Sequence, residues 1–250
     1  MKTKVFFFLL VPFTLIACNT ADTTQSAVQT KATEAVETVK TATAPADVAT
    51  SAAATGLTIY ASAEETQPIQ PGTPMPAFTV QDVEGETVSF DAGAREKPIM
   101  IVTYRGGWCP YCNTHLKEMR EIVPELQAKG MDVYFFSGDR AEILYSGLKG
   151  DTESVISGQG YTIYSDANTE AASALGIAFK LPEKQLARII DSPRHDTAGG
   201  SIAEHGALSV PSVFLISKAG NVEFAHSDPD YKVRLSNDEL MAAATQVLEL

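Results

Sequence analysis

The alternation of apolar and polar residues along the chain predicts strands that alternate with helices. An apolar run at residues 99–104 and a mainly apolar segment at residues 131–137 are typical of buried strands. Between them, apolar residues recur at helical spacing across residues 109–129, where Pro124 predicts a kink and Gly130 ends the helix. This order of elements favours an α/β layer fold.

Shorter elements surround this central part. Residues 78–80 and 87–90 alternate apolar and polar side chains on either side of a turn, which predicts a hairpin. Residues 213–216 and 222–226 predict a second pair of strands. The apolar residues within 178–209 follow neither helical spacing nor strand alternation, and we interpret this segment as an insertion or long loop. The remaining predictions are helices at 139–148, 152–157, 168–175 and 183–190, a strand at 161–164 and an amphipathic closing helix at 237–250.

The first residues have the parts of a secretory signal. Lys2 and Lys4 precede an apolar run at residues 5–16, which is shorter than the ~20 residues of a membrane-spanning helix. The run ends in Leu-Ile-Ala-Cys18, which resembles the bacterial lipobox, where the cysteine is lipidated and becomes the new N-terminus. We expect residues 1–17 to be a signal peptide and Cys18 to carry the lipid. The alternatives are an ordinary cleaved signal or an uncleaved anchor.

A segment rich in Ala and Thr follows the signal. Residues 19–56 contain no aromatic side chain, and such a composition buries too little apolar area to offset the entropy of ordering the chain. We expect residues 18–67 to be the lipid anchor and a disordered tether, and residues 68–250 to be the globular domain. Asn19 resembles an outer-membrane sorting signal, so the expected location is the cell envelope, on the periplasmic face of the outer membrane.

The charge balance narrows the range of partners. The chain has 19 basic and 31 acidic residues, and loss of the signal peptide with its two lysines leaves 17 against 31, a net charge of −14. A protein this acidic repels nucleic acid and anionic membrane surfaces. We therefore expect no nucleic-acid partner, and contact with a membrane only through the N-terminal lipid.

Candidate chemistry is concentrated in one pair of cysteines. Cys109 and Cys112 follow a buried strand at the predicted start of a helix, and their spacing places both on one helical face, within the ~4.4–6.8 Å Cα separation of a disulfide. A helix N-terminus lowers a thiol pKa from ~8.5 toward ~3.5–7.5. Arg105 adds positive charge upstream, so we expect Cys109 to be the nucleophile. Cys112 should be less exposed, with the higher pKa.

Other uses of the pair require partners that the sequence does not supply. Zinc binding requires four ligands, and His115 is the only further candidate nearby in sequence. We expect no metal and no organic cofactor. His195, His205 and His226 are weak candidates for a base.

The residues around the pair resemble a known family. Arg105-Gly-Gly-Trp-Cys-Pro-Tyr-Cys112 is similar to the peroxiredoxin-like branch of the alkyl hydroperoxide reductase/thiol-specific antioxidant (AhpC/TSA) family, within the thioredoxin superfamily. Residues 210–216 resemble the strand that carries the family's cis-proline, here Pro211, and residues 220–231 resemble its edge hairpin. The resemblance covers about residues 70–250. It implies a thioredoxin-like α/β fold, in which helices flank a central mixed sheet, with an N-terminal hairpin and an insertion before the cis-proline strand.

The resemblance also implies a function. Cys109 would be the peroxidatic residue of a peroxidase, Cys112 the resolving residue, and Trp108 a lid or packing residue beside the sulfur. The substrate would be a peroxide and the reductant a thioredoxin-like protein. A thiol–disulfide oxidoreductase that acts on protein disulfides is the main alternative, and a binding module without catalysis is a third.

The family pattern is incomplete before the first cysteine. Peroxiredoxins place a proline seven residues, and a threonine or serine three residues, before the peroxidatic cysteine. Val102 and Gly106 occupy these positions here. Thr103 and Thr114 are candidates to replace the missing hydroxyl.

The predicted anchor can be tested by removing its attachment point. Cys18→Ser is expected to release the protein from membranes without changing its thiol chemistry, because the tether and the domain are separate units. Membrane fractionation after a high-salt wash measures this. A variant that still sediments with membranes would show that the lipid is not the anchor.

Overall fold

The computed structural model of the protein describes residues 56–250. The predicted signal peptide, the lipidation site Cys18 and the tether up to residue 55 lie outside the described residues. No helix among residues 56–250 combines the length and apolar character needed to cross a bilayer.

The described chain forms a mixed sheet with helices packed against it, as the apolar pattern predicts. The strands are β1 (Phe78–Gln81), β2 (Thr87–Phe90), β3 (Ile99–Tyr104), β4 (Asp132–Ser137), β5 (Thr162–Ser165), β6 (Ala178–Lys180), β7 (Ala207–Ser209), β8 (Ser212–Ile216) and β9 (Val222–Ser227). The helices are α1 (Pro110–Glu118), α2 (Val123–Ala128), α3 (Thr152–Ile156), α4 (Glu170–Ala174), α5 (Glu183–Ile190), α6 (Ser201–His205) and α7 (Asn237–Leu248).

Seven strands form the central sheet in the order β2-β1-β5-β4-β3-β8-β9. β3, β4 and β5 run parallel, whereas β8 pairs antiparallel with β3 and β1 pairs antiparallel with β5. All six residues of β3 are buried, because alternate side chains enter apolar cores on the two faces of the sheet. Burial on both faces explains why this strand is a continuous apolar run.

The long helix predicted at residues 109–129 is two helices. α1 ends at Glu118, a 3₁₀ turn covers Met119–Glu121, and α2 begins with Pro124 in its first turn. Proline has no N–H to bond the preceding turn and is favoured at a helix start, so the chain restarts a helix here rather than only bending.

The predicted helix at residues 139–148 is also wrong. Only a 3₁₀ turn at Ala141–Ile143 forms there.

The structure also specifies how the shorter helix α4 begins. Two N–H groups of its first turn, those of Ala171 and Ala172, donate to the Asp166 carboxylate at 2.8 Å each, so the Asp166 side chain caps the start of the helix.

The insertion has more structure than its sequence pattern shows. The predicted helix at residues 183–190 is confirmed as α5, and α6 follows it. β6 and β7 pair with each other as a separate two-stranded sheet at the base of the insertion. α5 has no fully buried residue, but Leu186 and Ile189 pack on the core of the domain.

Contacts with the domain begin before Pro68, the start expected from the sequence. The Tyr60 N–H donates to Ala178 at 2.9 Å, and Tyr60 accepts from the Lys180 N–H at 2.8 Å. The Gln67 N–H donates to the Gly176 carbonyl at 3.0 Å. Residues 60–67 therefore lie along the start of the insertion.

Two glycines allow a test of this docking. Gly176 (φ +71°) and Gly130 (φ +93°) both adopt left-handed backbone, but a Cβ on Gly176 would overlap the backbone of Gln67, whereas one on Gly130 would meet nothing within 4 Å. Gly130→Ala is expected to lower the free energy of unfolding by about 1–2 kcal/mol through backbone strain alone. Gly176→Ala should lower the free energy of unfolding by about 1–3 kcal/mol more than Gly130→Ala does, because residues 60–67 must move to make room for the new Cβ. Urea unfolding measures both, and equal losses would contradict the docking of residues 60–67.

Candidate active site

The two cysteines lie where β3 passes through a short loop into α1. Cys109 is the N-cap residue of α1, Pro110 is its first residue, and Cys109 and Cys112 form a disulfide with a Cα separation of 5.3 Å. This confirms that the spacing suits a disulfide. The expectation that Cys112 is less exposed is wrong for this oxidised state, because Cys109 is 1% exposed and Cys112 is 2% exposed.

Two polar side chains hold the loop that precedes Cys109. The Gly107 N–H donates to the Asp139 carboxylate at 2.5 Å. The Asn113 amide donates to the carbonyls of Gly107 (2.6 Å) and Cys109 (2.8 Å) and accepts from the Lys149 N–H at 2.8 Å. These bonds fix the backbone that presents Cys109. Neither residue was a candidate from the sequence, although a charged residue two positions after the end of a buried strand, as at Asp139, is a usable signal.

Asp139 is almost completely buried, at 3% exposure. Burial raises its pKa to about 6, and the bond from Gly107 opposes that shift. The hydrogen bond from the active-site loop therefore favours the charged form of Asp139 at neutral pH, whereas burial disfavours it.

Arg105 lies in a stack of rings rather than free in solvent. Its guanidinium carbon is 5.1 Å from the ring centroid of Trp108 and 4.5 Å from that of Tyr231, and Tyr231 meets Tyr111 edge-on at 5.6 Å. Burial lowers the pKa of Arg105. On the other side, Trp108 contacts His195 of the insertion, with ring centroids 5.2 Å apart. The insertion thus reaches the active-site loop.

A cavity of about 580 Å³ opens beside Cys109. Arg105, Trp108 and Cys109 line it from the domain, and Ile189 and His195 line it from the insertion. The structure therefore brings three of the predicted site residues together around one opening.

Pro211 lines a neighbouring groove of about 620 Å³, which shares Arg105 with the cavity. The Thr103 hydroxyl fixes the backbone on both sides of this proline: it donates to the Val210 carbonyl at 3.1 Å and accepts from the Ser212 N–H at 3.0 Å. The cis geometry of the Val210–Pro211 bond stays a prediction.

Both proposed replacements for the missing hydroxyl are engaged elsewhere. The Thr103 hydroxyl is hydrogen-bonded to the backbone on both sides of Pro211. The Thr114 hydroxyl donates to the Pro110 carbonyl at 3.2 Å within its own helix. Gly106 adopts φ +145°, and a Cβ there would overlap Trp108 and Asp139. The loop geometry therefore excludes a threonine at this position.

Arg234 is a further residue that sequence reasoning missed. Its Nη2 lies 3.9 Å from the Cys112 sulfur, although 122 residues separate the two. Its Nε is buried without a hydrogen-bond partner, and no carboxylate within residues 56–250 lies at ion-pair distance from its guanidinium. A half-buried cation thus faces a sulfur that becomes an anion when the disulfide is reduced.

His115 lies on the same side of α1 as Cys112. Burial, together with the charges of Arg234 and the nearby His226, lowers its pKa to about 4. His115 is therefore neutral at pH 7, and Arg234 is the cation in contact with Cys112. Within residues 56–250, no group of three or more His, Cys, Asp and Glu side chains is arranged so that it could hold a metal ion.

Replacing Arg234 is expected to change the acidity of Cys112. In a Cys109→Ser background, Arg234→Gln should raise the pKa of the Cys112 thiol by about 1, because the thiolate loses an adjacent positive charge. Ultraviolet absorbance of the thiolate against pH measures this. Arg234→Lys is the matched control and should keep the pKa low. An unchanged pKa in Arg234→Gln would contradict the contact.

Comparison with known proteins identifies a matching family and several relatives. The AhpC/TSA family profile matches residues 71–225. The thiol-disulfide oxidoreductase ResA of Bacillus cereus is 28% identical over 91 residues, 36% of this chain and 51% of ResA. ResA of Bacillus anthracis is 26% identical over the same length. The chain spans about half the length of the curated relatives it matches.

Solved structures share the fold at low sequence identity. A peroxiredoxin-like protein from Aquifex aeolicus superposes with a TM-score of 0.51 and 20% identity, over 72% of this chain and 89% of that one. Reduced Prx3 from Vibrio vulnificus, in complex with hydrogen peroxide, superposes with a TM-score of 0.52 and 18% identity, over 70% and 99%. These likenesses confirm the thioredoxin-like fold. Since the family profile covers more than half of the chain, the protein belongs to the AhpC/TSA family of thioredoxin-fold oxidoreductases.

Proposed function

We propose that the protein is a thiol-dependent peroxidase that reduces hydrogen peroxide or organic hydroperoxides through Cys109 and Cys112. One observation carries the proposal: Cys109 lines a cavity that also contains the Arg105 guanidinium, whereas Cys112 faces Arg234. A peroxide that enters the cavity reaches Cys109 first.

The first step uses the Cys109 thiolate. Its sulfur attacks one peroxide oxygen, the O–O bond breaks, and the leaving oxygen takes a proton to become water or an alcohol. Cys109 becomes a sulfenic acid. The helix N-terminus at Cys109 favours the thiolate that begins this step.

Arg105 is the group best placed to polarise the peroxide. The usual hydroxyl is excluded at Gly106, and both nearby threonine hydroxyls are engaged. The guanidinium of Arg105 lines the cavity with its position fixed between two rings, so it donates hydrogen bonds to the developing negative charge without first being reoriented.

The second step closes the disulfide. The Cys112 thiolate, held beside Arg234, attacks the sulfenic sulfur, and hydroxide leaves and is protonated to water. Two thiols of a thioredoxin-like protein then reduce the disulfide by exchange: attack at Cys109 makes Cys112 the leaving thiolate.

A second candidate is a thiol–disulfide oxidoreductase that acts on protein disulfides. The observation that favours it is the disulfide itself, closed between residues three apart in one helical turn, with Cys109 in a cavity that shares lining residues with the groove at Pro211. The similarity to the ResA proteins points the same way. The two functions use the same cysteines and differ only in the oxidant.

The proposed setting is the bacterial cell envelope. A lipid on Cys18 would hold the domain at the membrane, on the periplasmic face of the outer membrane. The acidic surface of the protein argues against nucleic acid as a partner.

Single cysteine variants separate these roles. Cys109→Ser should abolish reaction of the reduced protein with hydrogen peroxide. Cys112→Ser should keep the first oxidation but lose turnover, leaving Cys109 as a sulfenic acid that oxidises further. Stopped-flow oxidation, sulfenic-acid labelling and mass spectrometry measure this, with insulin disulfide reduction as the comparison.

Two outcomes would overturn parts of the assignment. Label on Cys112 in Cys109→Ser, with none on Cys109 in Cys112→Ser, would exchange the two roles. Slow peroxide oxidation with fast insulin reduction would favour the thiol–disulfide oxidoreductase.

A further inference from the structure

The cavity beside Cys109 has a charge opposite to that of the protein. Three arginines, Arg105, Arg188 and Arg194, line it together with His195, and its walls contain no Asp or Glu. The chain as a whole has 31 acidic and 19 basic residues. Within residues 56–250, no carboxylate lies at ion-pair distance from any of these arginines. The cavity is therefore a local positive site on an acidic molecule.

The neighbouring groove has a different charge. Three acids, Glu64, Asp228 and Asp230, line it beside Pro211, and three cations, Arg105, Lys180 and Lys232, balance their charge. Arg105, Gln185 and Tyr231 line both openings. The groove is therefore close to neutral, whereas the cavity beside α5 has an excess of positive charge, so an anionic ligand is attracted to the cavity more than to the groove.

The same cavity has apolar walls. Trp108 and Tyr111 come from the active-site loop and α1, and Ile189 comes from α5. α5 is amphipathic, so its apolar side packs on the domain while Arg188 remains exposed at the rim. The volume of about 580 Å³ lies within the ~300–1,000 Å³ of small-molecule sites.

We infer that this cavity selects hydroperoxides whose apolar chain carries a carboxylate. The carboxylate would pair with Arg188 and Arg194, the chain would lie along Trp108 and Ile189, and the peroxide group would reach Cys109. The chemical step rests on the proposed peroxidase function, but the binding of an amphipathic carboxylate does not. In that step the O–O bond breaks, Cys109 is oxidised to the sulfenic acid, and the substrate leaves as the hydroxy acid after taking one proton.

Trp108 provides a direct measurement of binding, because it is the only tryptophan of the chain and lines the cavity. Decanoate should change the fluorescence of the oxidised protein in a saturable way and bind more tightly than decan-1-ol. The double variant R188Q/R194Q should weaken the binding of decanoate about five- to tenfold, because each exposed ion pair between an arginine and the carboxylate contributes modestly. It should leave the binding of decan-1-ol unchanged. Added salt should likewise weaken the binding of decanoate, because it screens the attraction between the carboxylate and the arginines.

Lys184→Gln is the matched control, because Lys184 is an exposed cation on the same helix outside the cavity walls. It should leave decanoate binding unchanged. Equal binding of decanoate and decan-1-ol, no saturable signal from decanoate, or equal effects of the control and the double variant would each overturn the inference.

A kinetic comparison completes the test. With linoleic acid hydroperoxide as substrate, the double variant should lower kcat/KM about five- to tenfold, and with the methyl ester or hydrogen peroxide it should not. If no peroxide oxidises the reduced protein, the proposed function fails while decanoate binding still decides the inference. If all peroxides react but the acid and its ester react alike in both proteins, the inference fails and the peroxidase stands.

Discussion

The hydrogen bond from Gly107 to the buried Asp139 carboxylate is the contact on which the site depends. Asp139 lies just after β4, and its backbone is tied in turn: its carbonyl accepts from the Ser165 hydroxyl at 2.6 Å, and the adjacent Gly138 carbonyl accepts from the Ser201 N–H at 2.8 Å. One junction therefore connects the active-site loop, β5 and the insertion. Because an unpaired carboxylate is costly in this position, the loop conformation and the burial of Asp139 stabilise each other.

Much of the fold could be predicted because its signals are local. The six buried residues of β3, the helix ending near Gly130 and the Cys109–Cys112 spacing are all visible within short windows of sequence. The errors occur where a local signal was ambiguous. Pro124 was consistent with a kink or with a new helix start, and tertiary packing decided between them.

The parts of the site that could not be predicted depend on contacts between distant residues. Arg234 meets Cys112 across 122 residues, and no spacing rule connects a cation after an edge strand to a cysteine in α1. His195 was a weak candidate for a base. The structure places it against Trp108 as a packing partner, through an insertion whose sequence has no clean period. Predicting either contact would require knowing how the insertion and the chain end fold back over β3.

The arginines around the disulfide affect the balance between its two redox states. Arg234 is half-buried beside Cys112, and Arg105 is clamped between two rings in the cavity wall at Cys109. In the oxidised state neither sulfur carries a charge, and no carboxylate of residues 56–250 lies at ion-pair distance from either partly desolvated cation. Reduction supplies thiolates beside them, and this stabilises the reduced form relative to the disulfide. The charges that the proposed peroxidase would use at Cys109 therefore also favour the return of the disulfide to the dithiol, which is the half of that proposed cycle that a separate reductant would drive.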